Sequence, residues 1–139
     1  MAAHKEIRLT VRSLQEDEET SRSFTAAWYP KEKNGYIRYQ EEESDMGNTT
    51  TTVKVGREEI KVIRHGDLQS EQTFILHRWI PGFYRTQQGI IHLETYTHRL
   101  AVHLVDGIGK ICWDYELRVQ GSSAGRFSLT LDTEPALLH

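Results

Sequence analysis

Arg64 is the residue of this chain that most needs a chemical partner. Ile60 and Val62 occupy one side of a strand-like stretch, and Arg64 follows them on that side. A guanidinium set among apolar side chains requires an anion beside it, because a lone charge out of water costs several kcal/mol. That anion is either an internal carboxylate or a carboxylate or phosphate on a bound molecule. Glu41 is the internal candidate. The same alternation puts Tyr39, Thr95, Thr97 and Tyr115 on the inward side once Ile111 and Trp113 face inward, and Thr49 and Thr51 follow with Val53 and Val55. Arg64, Glu41, Tyr39, Thr95, Thr97 and Tyr115 are therefore the candidate ligand-binding set. Two readings stand. In one, Arg64 anchors an anionic or polar small molecule, with Tyr39 and Tyr115 lining the wall. In the other, Glu41 neutralises Arg64, the hydroxyls satisfy what remains, and a filled interior leaves a structural or interaction protein that acts by its surface or as a homodimer.

Other chemistry is weaker. His92, Glu94 and His98 share one face of a single strand and His103 follows, but their spacing matches no closed metal motif and the face reads as solvated. No metal and no cofactor is expected. Cys112 has the parity opposite to Ile111 and Trp113. No serine stands in a Gly-x-Ser-x-Gly turn, and no glycine loop is built to cradle phosphate. The neighbouring carboxylates Glu58 and Glu59, or Glu41 and Glu43, read as acidic strand surface. No catalytic set emerges, so the chain reads as a binder or interaction protein rather than an enzyme. The net charge is -3, with acids gathered at Glu16–Glu19 and Glu41–Glu43 and no basic stripe, which argues against nucleic acid and anionic membrane as partners. No run of about 18 apolar residues suggests a membrane span. The single cysteine and the lack of an apolar leader lead us to expect a cytoplasmic protein.

The elements that must position these residues are strands. Ile7, Leu9 and Val11 alternate with Glu6, Arg8 and Arg12 over Lys5 to Leu14. Gln15 to Arg22 is polar and acidic and reads as a mobile loop. Strands follow at Ser23–Tyr29, Tyr36–Glu43 and Thr49–Val55, separated by Asn34-Gly35 and by Asp45 to Asn48. A hairpin turning at Gly66-Asp67 runs to about Trp79, with parity that becomes ambiguous after Phe74. Pro81-Gly82 breaks the chain. Phe83–Thr86, a loop at Gln87 to Gly89, and a long alternation from Ile91 through Leu104 come next. Ile111 to Val119 is the cleanest alternation. Gly121 to Gly125 turns into Phe127, Leu129 and Leu131, and 134–139 reads as a tail. No stretch has helical spacing. Roughly ten strands joined by short links predict an all-β, antiparallel up-and-down meander in one domain spanning 1–139. A meander that long exposes two edges unless it closes, so a closed barrel of about 8–10 strands is the expected architecture.

Five segments stand out in order: Tyr36-Ile-Arg-Tyr39-Gln-Glu41-Glu42 with Asp45 and Gly47, Arg64-His-Gly66 with Phe74, Tyr84-Arg-Thr86-Gln-Gln-Gly89, Leu93-Glu-Thr95-Tyr-Thr97, and Gly109-Lys-Ile111-Cys-Trp-Asp-Tyr115-Glu-Leu117. Together, from about Tyr36 to Val119, they resemble the YwiB-like family of bacterial β-barrel proteins. The resemblance implies a lipocalin-like (calycin) barrel in a cytoplasmic bacterial protein, a domain of unknown function with no catalytic residues to carry over. Trp113 stands where the family pattern has an aliphatic residue, which implies a fuller interior.

Overall fold

The computed structural model describes residues 4–32, 35–44 and 47–136. The turns expected at Asn34 and at Asp45-Met46, and the tail expected at 137–139, lie outside them. Ten strands are described: β1 (Lys5–Gln15), β2 (Glu18–Pro30), β3 (Gly35–Ser44), β4 (Gly47–Val55), β5 (Glu59–Gly66), β6 (Gln69–Ile75), β7 (Trp79–Thr86), β8 (Gly89–Val105), β9 (Ile108–Val119) and β10 (Ser122–Pro135). Each pairs antiparallel with its neighbours in sequence, and β10 closes on β1, from Ile7 opposite Pro135 to Gln15 opposite Phe127. This is the closed up-and-down barrel that the short links predict. Closure gives the first and last strands the partner that an open sheet would lack.

Five local expectations are corrected. Gln15 to Arg22 is not a mobile loop. Glu16 takes a left-handed conformation (φ 55°), the chain reverses at Glu16-Asp17, and Glu18 to Arg22 are strand, paired with β1 from Gln15 opposite Glu18 to Val11 opposite Arg22. The hairpin stands at the rim with both faces wet, so side-chain polarity gave no hint of a ladder made by the backbone. At the other terminus, Glu134 and Pro135 belong to β10. Trp79 starts β7 rather than ending the preceding hairpin, and the reversal lies at Leu76–Arg78, where His77 has φ 60°. Pro81-Gly82 therefore sits inside β7. That strand pairs with β6 only from Phe83 to Arg85, so Pro81 lies where β7 has parted from β6 and its missing N–H interrupts no ladder to that strand. Gly82 is needed for a close approach, because a Cβ there would lie 2.3 Å from the Glu71 carbonyl oxygen. Finally, the turn expected over Gly121 to Gly125 narrows to Gln120-Gly121, followed by a bulge between Ser123 and Gly125.

β8 lines the barrel with two different parities. Leu93, Thr95 and Thr97 face inward, then a register shift between Thr97 and Arg99 hands the inward positions to Leu100, Val102 and Leu104. Aromatic side chains fill the interior. Ring centroids are 5.4 Å apart for Trp113 and Phe74, 4.7 Å for Phe74 and Tyr115, and 5.4 Å for Tyr115 and Phe127. Trp113 and Phe74 are each 1% exposed, with Ile7, Leu9, Ile37, Ile60 and Ile111 packed into the same core. Each such aromatic removes roughly 150–250 Å² from water.

Trp28 plugs the end of the barrel that carries the β2–β3 and β8–β9 connections. It lies against Gly35 and Gly107, where a Cβ would come within 2.1 Å and 2.4 Å of its ring atoms. Gly107 also has φ +80°. Gly107→Ala should therefore lose about 1–3 kcal/mol to overpacking on top of about 1–2 kcal/mol for the left-handed backbone. Gly121→Ala, at φ +84° with nothing within 4 Å, isolates the backbone part. Urea melts should find Gly107→Ala clearly the less stable of the two. Equal losses would mean that Trp28 does not pack there.

Candidate functional site

The register brings β3, β4 and β5 together at the end of the barrel opposite Trp28. Tyr39 stands opposite Thr51 and Glu41 opposite Thr49 across the β3–β4 pair, and Thr51 stands opposite Arg64 across β4–β5. Thr51 is thus the rung between the carboxylate strand and the guanidinium strand. Its hydroxyl donates to Glu41 Oε2, and Arg64 Nε donates to the same oxygen at 3.2 Å. The Glu41 side chain is almost wholly buried, whereas that of Arg64 is 19% exposed. The pair sits at the mouth, with its acid inside and its base reaching towards water.

Two phenols frame the pair. Burial pushes the Tyr39 hydroxyl up to about 12, helped by the neighbouring Glu41 charge and opposed by Arg64, by a hydrogen bond with Thr51 and by Arg22. Burial likewise pushes Tyr115 up to about 12, again opposed by Arg64. Both phenols are therefore neutral at physiological pH and can donate as well as accept. The Phe24 ring packs on Tyr39 with centroids 4.6 Å apart, and the Arg22 guanidinium lies over Phe24 at 5.1 Å.

Arg64, Glu41, Tyr39 and the accessory Thr51 form one cluster, and Tyr115 lies within electrostatic reach of it. Thr49 is buried on the same row. Thr95 is also interior, but its hydroxyl donates to the Thr73 carbonyl at 2.7 Å, so it is committed to joining β8 to β6. Thr97 is fully buried opposite Tyr115, and its hydroxyl has no hydrogen-bond partner among the described residues. Sequence reasoning missed Ser70, which faces Arg64 across the β5–β6 pair, is 2% exposed and likewise has no partner among the described residues. Its parity with Phe74 was the available signal. Arg22 falls within the stretch that the sequence reads as a loop, and Phe24 lies on the expected second strand, whose alternation does not show that it packs on Tyr39.

The outlying candidates stay apart. His98 lies 3.2 Å from Glu116 on the outer wall, next to Tyr96, and His92 is exposed. Among the described residues no group of three His, Cys, Asp or Glu side chains converges. Two concavities lined by described residues open on the wall: one of about 600 Å³ is bounded by Lys31, Tyr36, Lys54 and Lys61, and one of about 560 Å³ lies over β2 and β3.

The model of the domain of unknown function DUF1934 matches residues 6–131. The chain belongs to this family. An uncharacterised β-barrel protein, YwiB of Bacillus subtilis strain 168, is 28% identical over 132 residues, covering 92% of both chains. The crystal structure of the Bacillus subtilis ywiB protein superposes with a TM-score of 0.83 at 25% identity, covering 98% of this chain and 96% of that one. The family match and the structural match together account for the closed barrel over nearly its whole length.

The phenol shifts carry a pH dependence. Because both folded-state values exceed the ordinary tyrosine value, the unfolded chain releases these protons first. Stability contributed by the two neutral phenols is thus complete below about pH 10 and is lost as the pH rises towards about 12, on the order of 3 kcal/mol for each. Alkaline melts should show this fall, and Tyr39→Phe/Tyr115→Phe should flatten it. An unchanged slope in the double variant would contradict the burial of these hydroxyls.

Proposed function

We propose that this protein binds a small anionic or polar molecule through Arg64, at the mouth of an otherwise filled barrel. The half-used guanidinium carries the reading. Arg64 gives its Nε to Glu41, while its terminal amino groups make no hydrogen bond to a described residue and the side chain is 19% exposed. An arginine in that state offers a planar pair of donors that matches a carboxylate or phosphate. The unpartnered Ser70 hydroxyl opposite it, and the Tyr39 and Tyr115 phenols beside it, supply further polar contacts in an apolar setting. Thr95 and Thr97 lie deeper and act as wall.

A second reading has its own support. The aromatic packing of Trp113, Phe74 and Tyr115, with Glu41 already on Arg64, favours a filled barrel that works by its surface or as a dimer. It narrows the guest from one swallowed whole, as in a lipocalin-like cavity, to one held at the rim. Cytoplasmic residence belongs to the proposal and is supported by the lone Cys112.

Native mass spectrometry of protein purified from its own cells separates the two. The binding reading expects a retained mass on the wild type that is lost in Arg64→Gln and kept in Arg118→Gln, a control on the outer wall. A bare chain, or the same retained mass in Arg64→Gln, would overturn it.

A further inference from the structure

The barrel wall has a seam. β2 and β3 share four residue pairs, Ala27 to Pro30 against Arg38 to Gly35. Beyond them, Glu18–Ala26 of β2 and Tyr39–Ser44 of β3 continue as strands but do not pair with each other. β1 covers the other edge of β2 along its length, and β4 covers that of β3. The Phe24 and Tyr39 rings pack across the gap, and a concavity of about 560 Å³ lies over it, bounded by Glu6 of β1, Arg22, Ser23 and Ala27 of β2, and Arg38 and Gln40 of β3. From Glu18 to Ser23 the edge of β2 that faces the seam pairs with no strand among the described residues, and these residues are exposed on both faces.

The direction of the free backbone groups follows from the hairpin. The β1–β2 turn has two residues, so its closing pair, Gln15 with Glu18, is hydrogen-bonded, and alternate residues repeat that pattern. Glu18, Thr20 and Arg22 therefore spend their N–H and C=O groups on β1. Glu19, Ser21 and Ser23 aim theirs at the seam. Such an edge is satisfied by another extended backbone.

We propose that this edge is a homodimer contact, with β2 of a second copy adding antiparallel about a two-fold axis through Thr20. A two-fold contact pairs a segment with itself, and seam-facing residues must meet seam-facing residues, so the axis passes through a residue and not between two. Three axes fit the exposed segment. Through Arg22, two guanidinium groups face each other. Through Ser21, Arg22 meets Thr20. Through Thr20, Glu18 of each copy faces Arg22 of the other, and Glu19 exchanges backbone bonds with Ser21. The Glu18–Arg22 pairs then fall at the non-hydrogen-bonded positions, where opposed side chains come closest. Charges on an edge ordinarily ward off pairing. Here both signs occur at the spacing that makes the edge complementary to itself, which favours a second copy over an unrelated peptide.

Sedimentation velocity of the full chain over a wide concentration range tests this, with circular dichroism to check the fold of each variant. The wild type should show a monomer–dimer equilibrium. Arg22→Glu sets acid against acid twice and should weaken the dimer roughly tenfold or more, and Glu18→Arg should do the same with bases. The swap Glu18→Arg/Arg22→Glu restores opposite signs and should restore the dimer. A monomer at every concentration, a dimer indifferent to Arg22→Glu, or no recovery in the swapped variant would overturn the proposal.

Discussion

A carboxylate and a guanidinium share one end of an apolar barrel, and the placing of the surrounding polar groups depends on them. At contact distance the two charges attract by about 4 kcal/mol at the effective dielectric of a protein near its surface. Removing each from water costs several kcal/mol. The cost is at least as large as the gain, so the Glu41–Arg64 pair adds little or no net stability. What it does add is asymmetry, since either charge left alone would be far worse than both together. Thr51, which donates to the same carboxylate oxygen as Arg64, fixes the acid from the neighbouring strand. The depth difference matters as well. The acid is inside and the base is near the mouth, so only the base can meet a molecule arriving from water.

The rest of the interior makes the opposite choice. Trp113, Phe74, Tyr115 and Phe127 run ring to ring through the barrel, and Trp28 fills its far end. Dense aromatic packing holds ten strands in one register, because a slip by one residue would turn every inward ring to solvent. With the core filled by rings, two margins keep polar groups within reach of water: the mouth at Arg64 and the seam where β2 leaves β3. The Phe24–Tyr39 contact joins the two margins, since Phe24 lies beside the free edge and Tyr39 beside the charged pair.

Much of this was legible in the alternation of residues. Period-two patterning put Tyr39, Glu41, Arg64, Thr95, Thr97 and Tyr115 on the inward side, and all of them lie there. Short links implied antiparallel neighbours, and closure followed from the cost of open edges. The failures share a cause. Glu18 to Arg22 form a ladder by backbone bonds while both faces meet water, so the side chains there carry no alternating signal. Pro81-Gly82 looks like a break, yet it is tolerated because β7 has already left β6 at that point. Thr95 and Arg64 share a parity, but parity does not say that the Thr95 hydroxyl is taken by the Thr73 carbonyl. Which inward groups touch depends on register around the barrel, and a single strand's pattern does not contain it.

The most direct test of the account is a double-mutant cycle on the charged pair, using urea unfolding of the wild type, Glu41→Gln, Arg64→Met and the double variant. If the two groups share one enclosed site, their coupling should be at least about 1.5 kcal/mol, with the double variant more stable than the sum of the single losses implies. Losses that add to within about 0.5 kcal/mol would mean that Arg64 and Glu41 do not depend on one another, and the charged mouth of this barrel would have to be abandoned.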